Sequence, residues 1–232
     1  MEVAVVSVGD ELLSGDTVNT NATWLCGQLD ARGVDVQRVT VVPDRVADVA
    51  RVVNEYRAEY DAVIVTGGIG PTHDDVTMEG VAAAFGRDLE QNEVVLEWLI
   101  EEGGYAREDL VEGTAHIPAG ARPLHNEVGV APGAVIDGVY VLPGVPEEMK
   151  AMFGAVVEAF VGSLRHRETV HAGEPESALM SRIETLRKRY PVSVGSYPGD
   201  HVRVRIQGED PDTVVEAAAW LRDRVKPPED DE

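Results

Sequence analysis

The feature that most constrains this chain is a short β-branched run that stops on glycine. Ala62-Val63-Ile64-Val65-Thr66 passes directly into Gly67-Gly68-Ile69-Gly70-Pro71-Thr72-His73-Asp74-Asp75-Val76-Thr77. Five apolar or β-branched residues without polar alternation describe a strand buried on both faces, as parallel sheets require. What precedes it fits. Residues 3–8 read as a buried strand, Thr17 to Arg32 has helical apolar spacing, and residues 34–42 read as a second strand. Pro43-Asp44 then opens a helical pattern through Val46, Val49, Val52, Val53 and Tyr56, with Asp44 placed as its N-cap. Strand, helix, strand, helix, strand predicts a doubly wound, mostly parallel α/β sheet covered on both faces.

Further along, Val76 to Phe85 and Glu90 to about Gly103 read as helices. Ala134 to Ile136 and Val139 to Leu142 form a hairpin across Asp137-Gly138, and Pro146 to Leu164 reads as a helix started by proline. The polar stretch Arg165-His166-Arg167-Glu168 marks a boundary. Beyond it the pattern is strand (169–172), helix (176–189), strand (192–196), strand (202–207) and helix (212–225). The expected organisation is an α/β domain over 1–164, a small α+β domain over 168–226 and a disordered acidic tail over 227–232.

Composition narrows the function classes. An apolar fraction of 44% suits a globular protein of 232 residues. No stretch reaches the roughly 20 apolar residues of a membrane span, and the N-terminus enters a strand without a signal-like segment. The single cysteine, Cys26, excludes an internal disulfide. These features predict a cytosolic protein without a membrane partner. Forty-two acidic residues face 20 basic ones, for a net charge of -22. That balance opposes binding to nucleic-acid backbones. Two readings of the acidity stay open: adaptation to high salt, in keeping with a halophilic protein, and recruitment of cations to an acidic site.

Four loops could carry chemistry. In the first, Gly67, Gly68 and Gly70 let the backbone approach an anion. Thr72 adds a hydroxyl, and the following helix offers unpaired N–H groups. The alternative is a tight turn with Asp75 as an ordinary N-cap. The second, Ser7 to Gly15, brings Gly9, Asp10 and Glu11, with Asn19 and Asn21 in the next helix as amide donors or as mere caps. The third, Leu142-Pro143-Gly144-Val145-Pro146-Glu147-Glu148-Met149, presents Gly144 between two prolines. The fourth, Asn126 to Gly133, adds Gly129. His73 reads either as a group titrating near neutrality or as a solvent-facing loop residue.

Taken in order, Ser7–Gly15, Asn19–Asn21, Val42-Pro43-Asp44, Thr66–Thr77, Asn126–Gly133 and Leu142–Met149 resemble the molybdopterin-binding fold of the MoaB/Mog and gephyrin-type proteins. The likeness is greatest to the N-terminal part of CinA. Residues 168–226, with Gly195-Ser196-Tyr197-Pro198, resemble the small domain that follows in CinA-like proteins. The resemblance implies a phosphate-bearing nucleotide or pterin held by Gly9, Asn19, Gly67, Gly68, Gly70, Thr72, Gly129 and Gly144. It puts catalytic carboxylates at Asp44 and Asp75, and a divalent cation on Asp10, Asp74 and Asp75. The implied activity is metal-dependent hydrolysis of a nucleoside-diphosphate sugar such as ADP-ribose. The alternatives are a molybdopterin-adenylylating step or a non-catalytic nucleotide or pterin binder. A homo-oligomer, dimer or trimer, is expected. Two departures matter: the sequence ends where CinA proteins commonly continue into an amidase domain, so that activity is not carried over, and His73-Asp74 stands where Mog-type loops tend to carry a basic residue before the aspartate.

Overall fold

The computed structural model describes residues 1–163 and 165–228. The chain divides into two compact units, 1–162 and 163–232.

In the first unit the elements run β1 (Glu2–Val8), α1 (Asp10–Ser14), α2 (Thr20–Ala31), β2 (Asp35–Val42), α3 (Val46–Glu59), β3 (Ala62–Gly67), α4 (Thr77–Ala84), β4 (Leu89–Gln91) and α5 (Glu93–Glu101). Then follow β5 (His116–Pro118), β6 (Arg122–Leu124), β7 (Gly133–Ile136), β8 (Val139–Pro143) and α6 (Pro146–Val156). The central sheet has the order β2-β1-β3-β8-β7-β6. Strands β2, β1, β3 and β8 are mutually parallel, while β7 runs antiparallel to β8 and β6 antiparallel to β7.

Period-two alternation sends successive residues of the inner strands to opposite faces. Ala4, Val6, Val63 and Val65 pack with Val49, Val53 and Val81 of α3 and α4. Val3, Val5 and Ile64 pack with Leu25, Met149 and Phe153 of α2 and α6. Helices therefore cover both faces, as the unbroken apolar runs require.

The Asp137-Gly138 hairpin forms as expected, with φ of 42° and 82° at its two turn residues, the left-handed pair that the right-handed strand twist selects. Other boundaries shift. The helix expected from Thr17 starts at Thr20, and Asp10–Ser14 forms a helical turn of its own. The helix expected from Glu90 gives way to β4, which pairs with β5, before α5 begins at Glu93. Helix α6 ends at Val156; the expected end, Leu164, lies outside the described residues. Phe160 is nevertheless fully buried in the core, so apolar spacing alone overstated the helix.

The second unit is a three-stranded antiparallel sheet of order β10-β11-β9, built from β9 (His166–Ala172), β10 (Ser193–Tyr197) and β11 (Val202–Gly208). Helices α7 (Glu176–Arg189) and α8 (Pro211–Arg222) pack on one face through Leu179, Ile183, Leu186, Val214 and Leu221. The tail expectation falls outside the described residues from position 229 onward. No helix among the described residues is long and apolar enough to cross a membrane.

Candidate functional site

The strand order places the site. From β1 the chain steps outward to β2, then returns past β1 to β3, so β1 and β3 flank a topological switch point. Ligands of open α/β sheets bind in the crevice at the carboxyl ends of such strands. Because β1, β3 and β8 are parallel, the loops after Val8, Gly67 and Pro143 all open on that edge. The Asn126–Pro132 loop joins them, since it enters β7, which runs the opposite way.

Two cavities meet at this edge and share Gly67 and Gly144. The smaller, about 110 Å³, lies against Leu12, Asn19 and Asn21. The larger, about 510 Å³, runs between Gly68–Asp75 and Gly129–Ala131, with Val145 and Glu148 on its border. Gly67 is glycine for a steric reason. A Cβ there would lie 2.5 Å from Thr77 Oγ1 and 2.7 Å from Val8 Cβ, closer than non-bonded atoms approach.

Asp75 does not cap α4, whose N-terminus at Val76 has no side-chain cap. Its carboxylate folds back into the glycine loop, accepting from the Thr72 N–H at 3.2 Å and from the Thr72 hydroxyl. It fills the space where side chains on Gly68 and Gly70 would be, 2.0 Å and 2.7 Å from their ideal Cβ positions. The concavity expected to hold an anion thus holds one belonging to the protein. His73 is almost fully exposed, 3.8 Å from Asp74, in the solvent-facing arrangement.

Asp44 is displaced from its expected role as well. Arg45 precedes α3 without a side-chain cap, and Asp44 Oδ2 instead accepts from the Asp10 N–H at 2.8 Å. That bond ties the loop after β2 to the loop after β1. Burial pushes the Asp44 carboxyl above the usual range. The Asp10 N–H opposes this, and the like charges of Asp10, Glu11 and Asp74 raise it further. The edge therefore gathers negative charge, and among the described residues no Arg or Lys forms an ion pair with Asp10, Asp44, Asp74 or Asp75; only His73 stands beside Asp74. Among the described residues no three His, Cys, Asp or Glu side chains converge as a metal cluster. The donors present are all carboxylate oxygens, which suit a hard cation.

Asn19 serves the protein itself. It caps α2 by accepting from Ala22 N at 3.1 Å and donates to Ser7 Oγ at 3.0 Å. Asn21 takes the donor role open to it. It clamps the third loop by donating to the Gly144 carbonyl at 2.7 Å, and its Oδ1 is buried without a partner. Thr77 Oγ1 is another orphan in a fully buried residue. Such groups cost free energy, so each is a natural place for a ligand or ordered water.

Asn126 shapes the fourth loop. Its Oδ1 accepts from Gly129 N at 2.8 Å and Val128 N at 3.3 Å. Its Nδ2 donates to the Ala131 carbonyl at 2.9 Å and to Glu148 Oε2 at 2.7 Å. Glu148, whose carboxylate rests against Gly129, was missed as a site residue. Its signal was its place in the first turn of a proline-started helix at a strand exit. The edge thus brings together Gly67, Gly68, Gly70, Asp75, Gly129 and Gly144 around the larger cavity, with Thr72 bonded to Asp75 and with Gly9, Asp10, Asp44 and Asp74 beside it.

The model of the family described as a probable molybdopterin binding domain matches residues 4–163. The chain belongs to that family. Among its relatives, a protein of Archaeoglobus fulgidus is 38% identical over 219 residues, covering 94% of this chain and 95% of its own. A protein of Aeropyrum pernix is 43% identical over 217 residues, covering 84% and 78%. The crystal structure of the protein CinA, of unknown function, from Thermoplasma acidophilum superimposes with a TM-score of 0.64 at 38% identity. It covers 69% of this chain and 98% of that one. The fold is CinA-like within the molybdopterin-binding family, and the Archaeoglobus match is too long to be confined to the first unit.

Proposed function

We propose that the sheet edge binds a phosphate-bearing nucleotide and, with a divalent cation, hydrolyses the pyrophosphate of a nucleoside-diphosphate sugar such as ADP-ribose. The observation that carries this reading is the uncompensated charge around Asp44, placed beside a glycine loop at the switch point.

A loop that already encloses one carboxylate, in a chain of net charge -22, does not attract a bare phosphate. A cation between them reverses the sign of the interaction. Asp10, Asp74 and Asp75 are the residues that would hold it. Magnesium sites commonly use only one or two carboxylates and complete their shell with substrate phosphates, so a three-carboxylate cluster is not required. When bound, such an ion neutralises phosphate oxygens in the transition state.

The chain's own groups do the rest. Asp75, released from Thr72, frees the Thr72 N–H and hydroxyl for phosphate oxygens. Asp44, whose raised carboxyl is a stronger base than an exposed aspartate, takes the proton of the attacking water. The water oxygen bonds to one phosphorus as the bridging P–O bond breaks, and the bridging oxygen leaves on the other phosphate. ADP-ribose gives AMP and ribose 5-phosphate.

A second reading, retention of a molybdopterin-type ligand, is favoured by the family match over residues 4–163. Product analysis separates the two. AMP and ribose 5-phosphate appearing with magnesium and not with chelator supports hydrolysis. Pterin fluorescence on the purified protein, with no turnover, supports the second reading.

A further inference from the structure

The register of β9 and β11 brings two histidines together. Val202 pairs with Ala172 and Arg203 with His171, so His201, one residue before β11, stands diagonally across from His171. Val170, Ala172, Val202 and Val204 are buried in the core that the sheet forms with α7 and α8. Strand alternation therefore turns His171 and His201 to the sheet's other face. Diagonal neighbours on a sheet are within reach of ring-bearing side chains, and these two rings meet, with centres 4.8 Å apart at 54°. His171 is exposed and His201 half-buried. His201 also borders an open hollow of about 550 Å³ with Gly173, Gly199 and Asp200, which gives a solute access.

The separation suits one ion shared by both rings. An ion about 2.0–2.1 Å from a nitrogen of each imidazole lies about 3.2 Å from each ring centre, which puts the centres about 4.5 Å apart at a right angle and about 5.2 Å apart at the tetrahedral angle. The observed 4.8 Å falls between these limits. Imidazole is a donor for zinc, nickel and copper, whereas magnesium keeps to oxygen. The nearby charges are mixed: Arg203, opposite His171, repels a cation, while Asp200 and the chain's net charge of -22 attract one.

We propose that His171 and His201 chelate a divalent transition ion. This site is independent of the magnesium reading of the sheet edge. Among the described residues no third His, Cys, Asp or Glu joins such a group, so water completes the shell. The strand pairing from Val202 to Gly208 holds the frame before any ion arrives.

The test is calorimetric titration with Zn²⁺ and with Ni²⁺ of wild type, His171→Ala and His201→Ala, in excess magnesium to occupy the carboxylates. Each substitution is expected to weaken binding at least about tenfold, about 1.4 kcal/mol. Electron paramagnetic resonance of bound Cu²⁺ should show two imidazole nitrogens in wild type and one in either variant. Both side chains lie off the core, so denaturation midpoints measured without metal should match wild type. Added Zn²⁺ should raise the midpoint of wild type more than that of either variant. Affinity unchanged in both variants would put the ion elsewhere and overturn the proposal. Loss in only one variant would reduce the site to a single histidine and overturn it as well.

Discussion

Asp44 and Glu174 are both partly covered carboxylates, and the two units treat them in opposite ways. Glu174 accepts from Arg182 Nη1 at 2.6 Å and Nη2 at 2.8 Å and from the Lys226 N–H at 3.0 Å. That bidentate partnership holds its carboxyl down at about 2. Asp44 has one backbone donor and three like charges, and its carboxyl is raised. The surrounding charge follows suit. Residues 1–162 carry 28 acidic and 9 basic side chains, a net of -19, whereas residues 163–232 carry 14 and 11, a net of -3. A chain that gives Glu174 an arginine partner in one unit leaves Asp44 and its neighbouring acids, among the described residues, without an arginine or lysine partner at one edge of the other. Charge left opposed in the folded state marks a place where a ligand or ion completes the structure.

The sharpest way to break this contrast is to neutralise one carboxylate in each unit. Asp44→Asn keeps an acceptor for the Asp10 N–H and removes the charge. ADP-ribose turnover should fall at least about a hundredfold, about 2.7 kcal/mol, with folding stability unchanged or slightly raised. Asp75→Asn should behave alike, because its amide oxygen can still accept from Thr72. Equal losses of stability and turnover in steady-state and denaturation assays would return both aspartates to a structural role.

Arg182→Ala makes the reverse experiment. It strands Glu174 beneath its former partner and should lower unfolding stability by about 2 kcal/mol. Turnover of ADP-ribose should not change. Loss of turnover without loss of stability would contradict the division between the units.

The two carboxylates also predict opposite pH dependence. Glu174, lowered in the fold, contributes stability that is complete above its ordinary value of 4.5 and fades as pH falls toward about 2. Asp44, raised in the fold from 3.8, contributes stability present below that value and lost as pH rises through its folded value. Denaturant unfolding across the acid range should therefore show Arg182→Ala losing its deficit on acidification. The advantage of Asp44→Asn should likewise shrink on acidification.

The smallest effect belongs to Thr77. Its hydroxyl is buried without a partner, so Thr77→Val should raise stability by about 1 kcal/mol and spare turnover. A collapse in turnover would mean that the hydroxyl meets the ligand.

Most of the fold was legible because it rests on local signals. The β-branched run into Gly67, the Asp137-Gly138 turn and the proline before α6 each specify backbone geometry within a few residues. What was not legible depends on distant partners. Asp44 looked like a cap, and only the approach of Asp10, 34 positions away, turns its side chain to another loop. Leu89–Gln91 becomes a strand because His116–Pro118 lies beside it, which overrides helical spacing. Asp75 could be read as essential to its loop, but not as the group that fills it. The late start of α2 was within reach, since Asn19 is a standard cap three residues before the N–H it accepts.

On the proposed function, this acidic edge becomes a phosphate site only when a cation joins it. Calorimetric titration of the wild-type protein with AMP, in chelator and then in magnesium, tests it most directly. No measurable binding is expected in chelator, and saturable binding is expected with magnesium, lost in Asp75→Asn. Binding that is as tight in chelator as in magnesium, or that survives Asp75→Asn, would contradict it.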